Sequence, residues 1–136
     1  MSNIEQTLSI IKPDAVERKL ENEIKDMFMN TGFNILKEKK IQITKSEAEQ
    51  FYKVHETKPF YNDLCTYLSS GPIVVMILEK DNAVLDNRKL MGATNPKDAE
   101  DETIRKKFGI SIDKNSVHGS DSVENGKIEI DFFFKD

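Results

Sequence analysis

At 136 residues the chain is long enough for one domain with a full hydrophobic core and short for two. With 38% hydrophobic and 32% charged residues it falls in the water-soluble globular class, and no apolar run approaches the roughly 20 residues of a membrane span. A formal net charge of −4 argues against a broad nucleic-acid surface, so an anionic ligand has to be met locally.

The opening MSNIEQTLSIIKPD lacks the basic start and long apolar core of a secretory signal, and a single cysteine, Cys65, cannot form an internal disulfide. A reducing, cytoplasmic setting is expected. No Gly-Pro-Ser linker, low-complexity block or solenoid repeat interrupts the chain, so residues 1–136 read as a single domain.

In chain order, TLSIIK (7–12) predicts a strand stopped by Pro13. Leu20, Ile24, Met27 and Phe28 have helical spacing, with Gly32 placed as a C-terminal cap. FNILKEKKIQIT (33–44) predicts a second strand, although Leu36 and the lysines blur its alternation. Thr44 with Glu47, or Ser46 with Glu49, forms a capping box ahead of Ala48, Phe51, Tyr52 and His55, which would share one helical face. A short helix is expected near 61–69. GPIVVMILE (71–79) then reads as a central strand buried on both faces.

NAVLDNRKLM (82–91) predicts a helix capped by Asn82, with Val84, Arg88 and Met91 on one face. From Gly92 to Ser122 periodicity fails apart from a helical turn near 103–108, and so long an irregular segment is usually functional. KIEIDFFFK (127–135) alternates Ile128, Ile130, Phe132 and Phe134 against Glu129 and Asp131, which predicts a last strand with Glu129 pointing away from the core. Elements mixed in this order suggest an α+β sheet layered with helices.

The chemistry centres on NSVHGSDS (115–122), where His118 stands among small polar residues and a glycine. Such a histidine can be a nucleophile, a general base or a metal ligand. Metal binding is the weakest option: the other histidine, His55, is 63 residues away and no ligand spacing supports the pair. Cys65, in NDLCTYL, suits buried packing better than nucleophilic attack. Phosphate chemistry fares better, because Lys12, His55, Arg88, Thr94, Arg105 and Asn115 lie at element ends or in the irregular segment, where donors can converge on one anion. Neither a P-loop nor a kinase glycine loop is present, so side chains must form the cradle. An imidazole nitrogen is basic enough to attack phosphorus near neutral pH. Each residue also has an ordinary reading: His55 could finish an apolar stripe, Tyr52, Phe60 and Ile112 could be packing residues, and Lys12 and Arg88 could be solvated. The basic runs KEKK (37–40) and RKK (105–107) read as solvated faces, Arg105 excepted.

TLSIIKPDAVERKL, FYKVHETKPFY, SSGPIVVMILE, NAVLDNRKLMGATNP, TIRKKFG, NSVHGSDS and IEIDFFF together resemble nucleoside diphosphate kinases almost end to end, with HGSD the most specific part. The resemblance implies a ferredoxin-like fold with a four-stranded antiparallel sheet covered by helices. It implies Mg-dependent, ping-pong transfer of a terminal phosphate between nucleoside tri- and diphosphates through a phosphohistidine. By motif position His118 would be the nucleophile, Glu129 would accept a hydrogen bond from its other ring nitrogen, and Ser120 would support Glu129. Lys12, Tyr52, His55, Arg88, Thr94 and Arg105 would surround the phosphates, with Lys12 and Asn115 reaching the sugar. Phe60, Leu64 and Ile112 would meet the base by apolar contact, which reads no base edge and fits broad substrate use. Magnesium would be held by phosphate oxygens and water with Asp121 nearby, rather than by a protein cage.

A homo-oligomer, tetramer or hexamer, is implied as well. The chain departs from the commonest family pattern at Ala15, Asn22 and Lys58, and more notably at Glu102, Lys106 and Lys107, in a loop that contributes to subunit contacts in the family.

Overall fold

The computed structural model describes residues 4–111 and 114–134. Strand β1 (Ile4–Ile11) stops before Pro13, which starts helix α1 (Pro13–Glu17) in the first turn, where no backbone donor is needed. Helix α2 (Glu21–Asn30) buries Ile24 and Phe28, one turn apart. It closes at Gly32, whose φ of +93° suits a residue without Cβ; the Gly32 and Phe33 amides donate back to the Met29 and Phe28 carbonyls at 3.1 Å each. Strand β2 (Asn34–Ile41) carries a bulge: Ile35 faces Leu78 and Lys37 faces Ile77, so Leu36 is the extra residue that blurs the alternation.

Thr44 caps helix α3 (Lys45–Phe51): its hydroxyl accepts from the Glu47 amide at 3.1 Å, and the Glu47 carboxylate accepts from the Thr44 amide at 2.9 Å. A 3₁₀ turn (Lys53–His55), helix α4 (Tyr61–Leu68) and strand β3 (Ile73–Asp81) follow. After helix α5 (Ala83–Met91) come a 3₁₀ turn (Pro96–Asp98), helix α6 (Ile104–Phe108), the three-residue strand β4 (Val117–Gly119) and helix α7 (Val123–Phe133).

The strands form one antiparallel sheet in the order β2-β3-β1-β4, which gives the α+β, ferredoxin-like architecture. β3 alternates between two cores, as a strand buried on both faces should. Val74, Met76 and Leu78 pack with Ile24 and Phe28 of α2, Met91 of α5 and Ile104 of α6. Ile73 and Val75 pack on the other side with Ala48 of α3, Cys65 and Leu68 of α4 and Phe133 of α7.

Three sequence expectations are corrected. Residues 127–135 do not form the last strand: the described part is the second half of α7, and the fourth strand is Val117–Gly119, inside the segment read as irregular. Ser122 caps α7, accepting from the Asn125 amide at 3.1 Å, and Gly126, Glu129, Ile130 and Phe133 share its inner face at helical spacing. Glu129 therefore turns inward rather than away. His55 does not finish the α3 stripe, because the helix ends at Phe51 and the chain tightens into a 3₁₀ turn. Asn82 stands at the N-cap of α5 in a left-handed conformation, with φ 54° and no side-chain cap; Glu5 of β1 takes that role, accepting from the Val84 amide at 3.2 Å.

Candidate active site

β4 is the edge strand beside β1, and its register sets Gly119 opposite Ser9, His118 opposite Ile10 and Val117 opposite Ile11. α7 brings Glu129 against it. His118 Nε2 lies 3.2 Å from Glu129 Oε1, and the Ser120 hydroxyl donates to the same oxygen at 2.7 Å. Ser120 is itself fixed, since its Oγ accepts from the Leu8 amide at 3.1 Å and its own amide donates to the Leu8 carbonyl. An ionised carboxylate only accepts, so the nitrogen facing it is the protonated one and the lone pair is on Nδ1.

The His118 ring meets Phe51 edge-on at a centroid distance of 5.4 Å and Tyr52 at 6.4 Å. The Phe51 contact was not expected from the sequence; its only signal was its place beside Tyr52 at the end of α3. Burial, and then the charge of Glu129, push the Tyr52 hydroxyl far above its usual range, so it is a neutral donor at any working pH. Tyr52 leads on to His55 at 6.3 Å and His55 to Phe60 at 5.9 Å, and Lys58 stands 5.8 Å over the Phe60 ring. Phe60 is 45% exposed. The Leu64 amide donates to its carbonyl at 2.9 Å.

A second group gathers on the other side of β4. Arg88, Thr94 and Arg105 line an open cavity of about 640 Å³ between α5 and the chain that follows it. Arg105 is buried and donates to the Gly92 carbonyl at 3.0 Å and to the Val117 carbonyl, one residue from His118, at 2.9 Å. Burial, with Arg88 adding to it, lowers its pKa to about 10, which leaves two neighbouring cations at neutral pH and a site suited to an anion. Lys12 donates to the Asn115 side-chain oxygen at 2.9 Å, and Asn115 Nδ2 donates to the Thr94 carbonyl at 3.1 Å. Through Asn115, which stands three residues before His118, Lys12 is joined to this second group. Ile112 lies outside the described residues.

Gly119 is required by space. An added Cβ would sit 2.3 Å from Asn87 Nδ2 and 2.8 Å from Met91 Cε, and Asn87 is fully buried on α5. Gly119→Ala is expected to cost about 1–3 kcal/mol by overpacking, read as a lower urea midpoint. An unchanged midpoint would contradict the close approach.

His55 makes a pH prediction. Burial first, then Lys58 and His118, lower its pKa below the usual 6.5, against a smaller opposing effect of Asp121. Its Nδ1 is buried without a hydrogen-bond partner among the described residues. The unfolded chain takes up this proton more readily than the folded one, so stability is lost as pH falls from 6.5 through the folded value. The difference between urea unfolding free energies at pH 7.5 and at pH 5.0 is expected to shrink in His55→Asn; an equal difference in both proteins would refute the assignment.

Among the described residues no group of three or more His, Cys, Asp or Glu side chains could hold a metal ion, and no helix is long and apolar enough to cross a membrane. Residues 5–136 match the family model for nucleoside diphosphate kinase. The chain is 58% identical over 132 residues to a nucleoside diphosphate kinase of Campylobacter jejuni subsp. jejuni serotype O:6, covering 97% of this chain and 96% of that one. To the protein of that name from Geotalea uraniireducens it is 56% identical over 131 residues, with 96% of each chain covered. The crystal structure of the Aquifex aeolicus nucleoside diphosphate kinase superposes with a TM-score of 0.95 at 39% identity, over 96% of this chain and 95% of that one.

Proposed function

The chain belongs to the nucleoside diphosphate kinase family, and from that premise we propose that it passes the terminal phosphate of a nucleoside triphosphate to a nucleoside diphosphate through His118. The carrying observation is the His118–Glu129–Ser120 arrangement, in which a carboxylate fixed by a buried hydroxyl holds one ring nitrogen and leaves the other for attack. The Nδ1 lone pair attacks the terminal phosphorus, the bond from that phosphorus to the bridging oxygen breaks, and the diphosphate leaves with the electron pair. The Nε2 proton stays on the ring, where Glu129 stabilises the positive charge that develops. A second nucleoside diphosphate then attacks through its terminal oxygen and returns the imidazole to its starting state, so the reaction is ping-pong.

Arg88, Thr94 and Arg105 hold the phosphates on one side of β4, with His55 and the Tyr52 hydroxyl on the other. Lys12 and Asn115 bridge phosphate and sugar. Phe60 and Leu64 give the base an apolar seat, and Ile112 is assigned there by motif position alone. The donor set fits magnesium held mainly by phosphate oxygens and water, with Asp121 nearby. When bound, the ion neutralises charge on the phosphate oxygens. We read residues 1–136 as one domain that works as a cytoplasmic homo-oligomer, a tetramer or hexamer, which light scattering would resolve.

The test mixes the protein with magnesium and ATP labelled on the terminal phosphate, and then adds GDP. Acid-labile, base-stable label that moves to GTP supports the reading. Label that GDP cannot discharge would point to a protein phosphocarrier, and a folded protein that never labels would be a nucleotide-binding relative without transfer.

A further inference from the structure

Two residues before His118 the backbone takes a conformation that serine avoids. Ser116 has φ +75° and is fully buried, and the Val117 amide donates across it to the Asn115 carbonyl at 2.9 Å. This is a three-residue turn of the rare, strained hand. A non-glycine residue there costs on the order of 1–3 kcal/mol and persists only when its surroundings dictate it.

The surroundings are specific. The Ser116 hydroxyl donates to Asp14 Oδ2 at 3.0 Å, on the first turn of α1. That carboxylate, 3% exposed, also accepts from Arg18 Nη2 at 3.1 Å and from the Tyr67 hydroxyl, while the Asp14 amide donates to the Tyr67 oxygen at 2.9 Å. Arg18 reaches on to the Phe108 carbonyl and to the Ser116 hydroxyl at 3.3 Å. The Lys12 amide donates to the Ser116 carbonyl at 2.8 Å, and the Lys12 ammonium to the Asn115 side chain. The strained turn is thus tied on one side to a buried carboxylate and on the other to two residues of the phosphate and sugar set.

We propose that Asp14, through its bond to the Ser116 hydroxyl, holds the turn that presents His118 to the phosphoryl group, which makes Asp14, Ser116 and Tyr67 positioning residues for the transfer. The inference rests on His118 as the phosphoryl carrier. Freed of the bond, Ser116 relaxes toward negative φ, the peptides on either side rotate, and β4 loses its set angle to α7. The His118–Glu129 contact then fluctuates, while Arg88 on α5 and the bond from Arg105 to the Gly92 carbonyl keep the phosphate cradle in place.

Ser116→Ala removes the hydroxyl and keeps the Cβ that disfavours positive φ; Ser116→Gly removes both. The experiment compares them with wild type and with Asp14→Asn by rapid-quench phosphorylation at saturating magnesium-ATP, by KM, by thermal midpoint, and by nitrogen-15 NMR of the histidine rings. A displacement of the nucleophile of the order of an ångström lowers the rate by about 10- to 100-fold. All three variants are expected to lose that much maximal rate with KM within about twofold. In Ser116→Gly the loss comes with a thermal midpoint at or above wild type, because the strain is gone, and the His118 nitrogen signals broaden or average where wild type gives one sharp pair.

A Ser116→Gly protein with a raised midpoint, wild-type rate and sharp His118 signals overturns the proposal. Should Ser116→Ala or Asp14→Asn fail to fold, the glycine variant decides. If wild type itself never labels, the carrier reading fails. The NMR comparison of wild type with Ser116→Gly still decides the hold on the ring: broadened signals in the variant support it and sharp ones refute it.

Discussion

Replacing His118 with alanine is expected to abolish transfer: no acid-labile phosphate forms on the protein, and turnover falls by at least about 10⁴-fold. The loss should be this complete because no neighbour can substitute. The Tyr52 hydroxyl is held protonated by burial and by Glu129. Cys65 is fully buried in the second core, and burial raises its thiol pKa. Glu129 and Ser120 remain bonded to each other in the variant, but they orient a group that is no longer there. The fold should survive, since the His118 side chain is 22% exposed and its ring contacts are with Phe51 and Tyr52, which also pack on each other. Nucleotide binding, measured by calorimetry, should stay within severalfold of wild type. Transfer near the normal rate in the folded variant would remove His118 from the mechanism.

Glu129→Gln tests the other half of the arrangement, and its expected effect is a fall of about 10- to 100-fold in the phosphorylation rate, by analogy with carboxylates that orient metal-bound imidazoles. The reason is directional. A carboxylate oxygen demands a donor from His118 Nε2, whereas a carboxamide can present its own N–H and so favour the ring form with the proton on Nδ1, where attack is blocked. Ser120 limits the effect, because it donates to the same Oε1 that faces His118 and so favours the amide oxygen there, which keeps the loss from being complete. Single-turnover labelling should therefore slow while KM for ATP changes by less than about twofold. A variant that labels at the wild-type rate would leave Glu129 a structural neighbour only.

The parts of the fold legible in the sequence were those with local determinants. Six buried residues from Ile73 to Leu78, preceded by Gly71 and Pro72, could only be a central strand. Thr44 with Glu47, and Gly32 after Asn30, announced helix ends through side-chain and backbone chemistry that needs no tertiary partner. α7 was illegible for the opposite reason. Ile128, Ile130, Phe132 and Phe134 satisfy a period of two, while Gly126, Ile130 and Phe133 satisfy a helix, and the sequence alone does not choose between them.

Tertiary structure chooses. The free edge of β1 is taken by Val117–Gly119, a strand too short to show a period, and on the helix Ile128 is left outward and 67% exposed. The cap of this helix, Ser122, shows itself only in the structure, where its hydroxyl accepts from the Asn125 amide. At the site, resemblance named His118, Glu129 and Ser120, but the strand reading of residues 127–135 could not explain how Glu129 reaches the histidine. Lys12, Asn115 and Thr94 are joined across 103 residues of chain at their widest, a closeness that no spacing rule reveals. Asn87 and Met91, which make Gly119 obligatory, were likewise invisible until α5 was laid against β4.

The strand order also dictates a timetable for assembly. The central pair joins Ile4 to Asp81 and Ile11 to Val74, partners more than sixty residues apart, so a long stretch of chain must close before the sheet has a middle. β4 can add only to a β1 already in place, and α7 only after that, so His118 and its partner Glu129 are late arrivals in refolding. Recovery of activity should consequently lag the return of far-ultraviolet circular dichroism. Substitutions confined to β4 and α7 should quicken unfolding far more than they slow folding.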